Sequence, residues 1–285
     1  MLKHRLIFGS LMIVLFAGLV LLDGWFDGSL TASPEDNRQV QGTLIALLVA
    51  VATGLGGLEL ARLAASKGLV VLNPVCAIGV VLLSTSWWGG RLVSVPPDRY
   101  LLMLAVFTLA GMMLWQQFRF GVSGVLANCG VSCFSLMYLG LLGAFILAIR
   151  VDRGPLAFLA FIFVIKSSDI GAYTFGRLFG RHKLAPRVSP GKTWEGLGGA
   201  VVFAAVVSFA FAAAFGIMRV WVAPVFGAIM AVVGQLSDLS ESMLKRDAQQ
   251  KDSSNRVPGF GGILDVIDSP LFAAPCAYLF FAVMA

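Results

Sequence analysis

Residues 194–217 read WEGLGGAVVFAAVVSFAFAAAFGI, and from Gly196 to Met218 no side chain is charged. An α-helix rises 1.5 Å per residue, so about 20 apolar residues cross a hydrocarbon layer of about 30 Å. This stretch has that length and leaves no polar face for water. Working outward, eight more runs have the same character: about 6–22, 42–61, 69–86, 100–116, 125–149, 155–176, 220–238 and 266–285. Composition agrees. Of the 285 residues 58% are hydrophobic and 13% charged, where soluble proteins carry about 25% charged residues. A disordered chain, a coiled coil, a collagen-like repeat, a small disulfide scaffold and a soluble globule are all excluded. The sequence predicts an all-α fold: a polytopic integral membrane protein of about nine transmembrane helices.

The aromatics Trp87, Trp88, Tyr100, Trp115, Trp194 and Trp221 fall near run ends, as interface-seeking rings do. The first run follows Lys3-His4-Arg5; a signal peptide competes there, but the stretch lacks a small-x-small cleavage site and reads as an uncleaved helix. The stretch Gly121–Ile149 is either one long tilted helix or two short ones. With nine crossings and a cytoplasmic N-terminus, fourteen of the 21 Lys and Arg residues fall on the cytoplasmic side and six opposite, with Lys166 inside a helix. That asymmetry follows the positive-inside rule. Asp23, Asp27, Glu35 and Asp36 gather in the first outer loop. The net charge of +6 is thus topology rather than a sign of nucleic acid. The four cysteines sit in apolar stretches and read as small hydrophobes. The chain divides into N-terminal transmembrane helices, 1–150, and a C-terminal region, 151–285, with cytoplasmic loops 177–195 and 237–268. Sixteen of the charged side chains lie in those two loops, on one membrane face.

Three constellations carry chemistry. Lys166, Asp169 and Tyr173 are spaced by three and four residues, on one face of a spanning helix. They are either a structural ion pair or a charged wall beside a substrate site. In the following loop, Ser189-Pro190 reads as an N-cap with proline at the first helical position. A helix N-terminus offers free N–H groups to an anion, and Lys192 and Thr193 add an ammonium and a hydroxyl, a set suited to phosphate oxygens. The Gly191-Lys192-Thr193 order is not a P-loop, because Pro186 stands where that motif requires glycine. In the second loop, Asp238, Ser242 and Lys245 share a helix face, with Glu241 and Arg246 beside them and Lys251, Asp252 and Arg256 beyond. Gly259, Gly261 and Gly262 make a turn, after which Asp265 and Asp268 open the last helix with Pro270 in its first turn. Carboxylates of this kind select Mg²⁺ over zinc, and their setting suggests metal-assisted phosphoryl or nucleotidyl transfer. The plainer reading, two acids at a helix N-terminus, leaves Asp238 unexplained. His4 and His182 are the only histidines, so no Ser/His or Cys/His nucleophile is in view. A phosphate monoester is already largely dianionic near neutral pH and needs no base.

The stretch from Ser242 to Asp268, SMLKRDAQQKDSSNRVPGFGGILDVID, closely resembles the signature of the phosphatidate cytidylyltransferase (CDP-diacylglycerol synthase) family. Ser168-Asp-Ile-Gly-Ala-Tyr173 and Ser189-Pro-Gly-Lys-Thr-Trp-Glu-Gly196 are similar to it as well. The likeness covers about 100 residues, from Asp169 to Pro270; the N-terminal half agrees only in hydropathy.

The resemblance implies a membrane enzyme that transfers CMP from CTP to phosphatidate, giving CDP-diacylglycerol and pyrophosphate. It implies that Asp238, Asp265 and Asp268 hold Mg²⁺, with a second cation left open, and that these and Lys245 are catalytic. Ser189, Lys192, Thr193, Ser242, Lys245, Arg246, Lys251 and the glycines 259, 261 and 262 would bind substrate phosphates, and the lipid would enter at the Asp169–Tyr173 face. A homodimer is suggested by the resemblance alone, as is a cell-membrane location with the site facing the cytoplasm. Two positions depart from the family: Phe260 replaces its usual His, and Val266 its usual Arg. The rival readings are another CTP-dependent polar-lipid cytidylyltransferase, a lipid kinase, and an anion transporter. A transporter would place its charges near mid-membrane.

Overall fold

The computed structural model describes residues 2–30, 38–250, 253–254 and 261–284, and for residues 2–11 the backbone alone. Ten α-helices follow one another: α1 (Leu2–Phe26), α2 (Thr43–Ser66), α3 (Val75–Ser84), α4 (Ser86–Leu92), α5 (Pro97–Phe120), α6 (Val125–Ser135), α7 (Leu142–Phe179), α8 (Trp194–Phe215), α9 (Ala223–Asp247) and α10 (Ile263–Met284). A π-helical turn, Leu136–Leu141, joins α6 to α7. The fold is thus nearly all-α. Among the described residues, six helical stretches are long and apolar enough to cross a membrane, or seven if α3 and α4, bent by 72°, form one span. The part of α1 whose side chains are described, Met12–Phe26, is apolar but shorter. Large apolar side chains face outward on these helices, among them Phe107, Phe118, Leu126, Val206 and Val283. An exterior of this kind suits a lipid solvent.

The longest stretch runs from Val125 to Phe179 as 55 residues, but it is not one straight helix. Gly154 takes φ 84° and ψ 175°, a backbone conformation open only to glycine, and Pro155 follows without an N–H to donate. Just before the break, Arg150 is fully buried and bonds Asp23 and Asp27 at the end of α1, at 2.9 and 2.8 Å. Asp152 binds Arg91 of α4 at 2.9 Å and the Tyr278 hydroxyl of α10 at 2.9 Å. These bonds tie the break to the ends of α1, α4 and α10.

Helices α7 and α8 pack most extensively, and glycine is the reason. A Cβ on Gly171 would run into the carbonyl of Gly199, and one on Gly199 into Phe175 and the carbonyl of Gly171. Without hydrophobic drive between helices in lipid, close backbone approach supplies the packing energy. Buried Phe158, Phe161 and Ile165 of α7, Phe226 of α9 and Leu271 and Phe281 of α10 complete the core.

Between α7 and α8 lies a short hairpin, β1 (Lys183–Ala185) antiparallel to β2 (Ser189–Thr193), with Lys183 opposite Thr193 and Ala185 opposite Ser189. This corrects the expected helix start at Ser189. Thr193 is the N-cap: it is extended, with φ −131° and ψ 157°, and its hydroxyl accepts from the Gly196 N–H at 3.1 Å. Helix α10 also begins earlier than expected, at Ile263, so Pro270 lies in its interior.

Candidate active site

The ends of α2 and α9 and the hairpin meet at one pole of the bundle. Lys67 after α2 pairs with Asp247 of α9 at 3.2 Å, and Arg246 Nε of α9 donates to the Val188 carbonyl in the hairpin at 3.4 Å. The two polar loops therefore share one end of the molecule.

The first group of side chains centres on Asp238. Helix α9 continues unbroken past the apolar run to Asp247, which brings Asp238 opposite the first turns of α10. Lys192, at the end of β2, donates to Asp238 Oδ2 at 2.9 Å and to the Gln235 carbonyl at 3.1 Å. The Ser269 hydroxyl donates to Asp238 Oδ1 at 2.6 Å and lies 3.3 Å from Asp268 Oδ1, so one serine links the two acids. Ser237 anchors the same turn by donating to the Asp268 carbonyl at 2.7 Å. From α7, Lys166 pairs with Asp169 at 3.6 Å and donates to the Val266 carbonyl at 3.4 Å. Pro270 explains that last bond. It has no N–H for the carbonyl four residues earlier, and that carbonyl belongs to Val266. Lys166 thereby brings a cation to a turn whose own side chain 266 carries none.

The second group centres on Asp265. Lys245 bridges two carboxylates, donating to Asp265 Oδ1 at 2.7 Å and Glu241 Oε2 at 2.8 Å. Asp265 Oδ2 accepts from the Gly262 N–H at 2.6 Å, the Ser253 N–H at 3.2 Å and the Ser253 hydroxyl at 3.0 Å. Among the described residues, four buried polar atoms around the two groups have no hydrogen-bond partner: the Tyr138 hydroxyl, the Ser168 hydroxyl, Asp169 Oδ1 and Glu241 Oε1. Tyr138 lies on the π-helical turn. The arrangement sets ammonium groups among carboxylates at the end of an apolar bundle. It suits phosphate groups carried by a molecule that reaches the lipid.

Residues 38–284 match the Cytidylyltransferase family. The chain belongs to that family. Three relatives are each named phosphatidate cytidylyltransferase. The one from Brucella suis biovar 1 is 37% identical over 193 residues, 66% of this chain and 68% of its own. That from Staphylococcus epidermidis is 31% identical over 239 residues, 83% of this chain and 89% of its own. That from Haemophilus influenzae is 42% identical over 133 residues, 44% of this chain and 46% of its own. The cytidylyltransferase match reaches well into the N-terminal half, beyond the roughly 100 residues whose motifs are legible by eye.

Within this cytidylyltransferase fold, Lys192, Asp238, Asp169 and Asp268 fall in the first group, and Lys245 and Asp265 in the second. Ser242 lies half-buried one turn before Lys245, and Arg246 is exposed at the hairpin. Ser189 begins β2, half-buried, and Thr193 is committed to capping α8. Tyr173 is exposed on α7, its hydroxyl accepting from Arg177 at 3.1 Å. Gly261 has φ 96°, and Gly262 is buried where a Cβ would collide with Ser253 and Glu59. Lys251, Gly259 and Phe260 lie outside the described residues. Among the described residues, no three His, Cys, Asp or Glu side chains converge on a common metal position. Sequence reasoning passed over Glu59, Tyr138, Ser253 and Ser269. Their signals were faint: a lone acid in an apolar run, a tyrosine mid-run, and serines without an established partner.

Proposed function

We propose that this cytidylyltransferase transfers CMP from CTP to phosphatidate, releasing pyrophosphate and forming CDP-diacylglycerol. The observation that carries the reading is the pair of lysine–carboxylate contacts, Lys192–Asp238 and Lys245–Asp265, set beside a helix wall whose Ile170 and Tyr173 are exposed. Phosphates meet ammonium groups there, while acyl chains stay in the bilayer. The names of the relatives supply the acceptor.

An oxygen of the lipid phosphate attacks the α-phosphorus of CTP, and the bond from that phosphorus to the β-bridging oxygen breaks. Lys192, Lys245, Arg246 and Lys251, with Ser189, hold the triphosphate and the departing pyrophosphate, where positive charge lowers the barrier most. The attacking group is already an anion near neutral pH, which fits a site whose neighbouring His182 hydrogen-bonds Glu195 at 2.6 Å rather than facing a nucleophile.

Mg²⁺ belongs to the proposal. Lys166 and Lys245 already pair with Asp169 and Glu241, so the case for the ion is the donor chemistry: every candidate ligand is a hard oxygen. By the family resemblance Asp238, Asp265 and Asp268 would hold the ion, which would offset phosphate charge; they do not converge among the described residues, so binding would have to draw them together. We also assign nine crossings with the N-terminus and the site on the cytoplasmic side, where CTP is found. The 55-residue stretch would then cross twice, turning at Gly154.

Purified protein given labelled CTP, Mg²⁺ and phosphatidate should form labelled CDP-lipid and pyrophosphate in equal amounts. Absence of that product, or full rate in Asp265→Asn, defeats the reading. Product formed with an isoprenoid alcohol instead of phosphatidate would point to a lipid kinase.

A further inference from the structure

Glu59 lies in α2, far in sequence from either polar loop, and is fully buried. Helix α2 ends at Ser66, seven residues on, so the carboxylate sits about 10 Å inside the helix end. An acid at that depth is expensive unless well partnered. Among the described residues Glu59 accepts from the Ser254 hydroxyl at 2.6 Å, the Leu264 N–H at 2.9 Å and the Ile263 N–H at 3.2 Å, and it shares the Ser253 hydroxyl, 3.0 Å away, with Asp265. Two of these are first-turn N–H groups of α10, which have no partner within their own helix and favour a negative charge.

We propose that Glu59 is a positioning residue for nucleotidyl transfer, reaching from the N-terminal half to fix the α10 carboxylates against α9. This rests on the function proposed above. The connection to the site is short. The Ser253 hydroxyl lies 3.0 Å from Glu59 Oε2 and 3.0 Å from Asp265 Oδ2. Asp265 then holds Lys245 at 2.7 Å, and Asp268 follows on the same helix. Gly262 completes the clamp, since a Cβ there would strike both the Ser253 hydroxyl and the Glu59 carboxylate. Glu59 thus sets where the first turn of α10 starts and which way Asp265 and Asp268 face. A simple filler of the core would not need a charge whose partners, among the described residues, all belong to the site's own loop and helix.

The test uses the full-length protein in lipid vesicles, with Glu59→Gln, Glu59→Asp and Ser254→Ala. Three quantities are read: kcat and KM for both substrates, the melting temperature, and amide exchange at residues 262–265. Glutamine keeps the shape but turns one acceptor into a donor that faces other donors. Its kcat should fall about tenfold or more, with KM for phosphatidate within about twofold. The Ile263 and Leu264 amides should exchange faster. Aspartate keeps the charge, one methylene short, and should recover part of kcat; Ser254→Ala should lower kcat less, in the same direction. The proposal is overturned if Glu59→Gln keeps wild-type kcat per folded molecule, or if aspartate does no better than glutamine. Should Glu59→Gln fail to fold, Ser254→Ala decides: a lower kcat at unchanged melting temperature supports the role, and an unchanged kcat rejects it. A wild-type protein that makes no CDP-lipid rejects the activity reading itself. Faster exchange in Glu59→Gln would then mark a structural clamp, without the catalytic role.

Discussion

Lys192 and Lys245 hold matching positions, each an ammonium group on an α9- or α10-borne carboxylate, but they are wired differently. Lys245 has two acids, Glu241 and Asp265. Lys192 has one, Asp238, and a backbone carbonyl, so it can turn to a phosphate at lower cost. Lys192→Met should therefore lower kcat/KM for CTP by about 10²–10³, the scale for losing one preorganised charge partner. The protein should still fold, because Asp238 keeps Ser269. Steady-state kinetics beside a melting curve checks both halves. Asp238 and Lys245 were legible in the sequence because their spacing along an extended helix put them on one face next to a glycine turn. Glu59 was not. Arg62 follows it by three residues, the spacing of an ordinary surface pair, and only the packing of α2 against α10 turns the acid inward. The bond from Lys166 to Val266 was hidden for a related reason. It requires knowing that α10 starts at Ile263, so that Pro270 frees a carbonyl within reach of α7.

At the scale of elements, apolar length located the helices, and the backbone decided how they break. Residues 125–149 and 155–176 were separable by eye only through the charges between them, and the structure puts the break at Gly154. No atom lies within 4 Å of a Cβ added there, so a substitution meets no clash. Its whole cost is conformational. Gly154→Ala should destabilise the protein by about 1–3 kcal/mol, seen as a lower melting temperature in detergent, with little change in kcat per folded molecule. The loop at 189–193 misled for a different physical reason. Serine followed by proline suits a helix N-terminus and an edge strand equally, because each tolerates a missing N–H. Pairing with Lys183–Ala185 settles it as a strand, something a local reading does not contain.

At the scale of the molecule, the charged side chains sort to two poles with different chemistry. One pole holds the lysine–carboxylate site. At the other, Arg150 is buried between Asp23 and Asp27, and Asp152 gathers Arg91, Trp87 and Tyr278. Removing one member of the buried triad would strand charge, which makes that pole a fixed anchor. Both poles are bridged by α7, which has Arg150 near one end and Arg177 near the other. The number of crossings follows from which residues share a side, and this is measurable. On a background without the four native cysteines, Ser94→Cys, Ser123→Cys, Arg153→Cys and Arg187→Cys place single thiols at exposed positions. An impermeant maleimide applied to right-side-out vesicles should label positions 94 and 153 and spare 123 and 187 until the membrane is opened. If the 55-residue stretch crossed only once, positions 123 and 187 would lie on opposite sides, and one of them would label in sealed vesicles. Shared protection of 123 and 187, with 153 accessible, requires the chain to turn back at Gly154. It also puts the site's hairpin on the side from which CTP arrives.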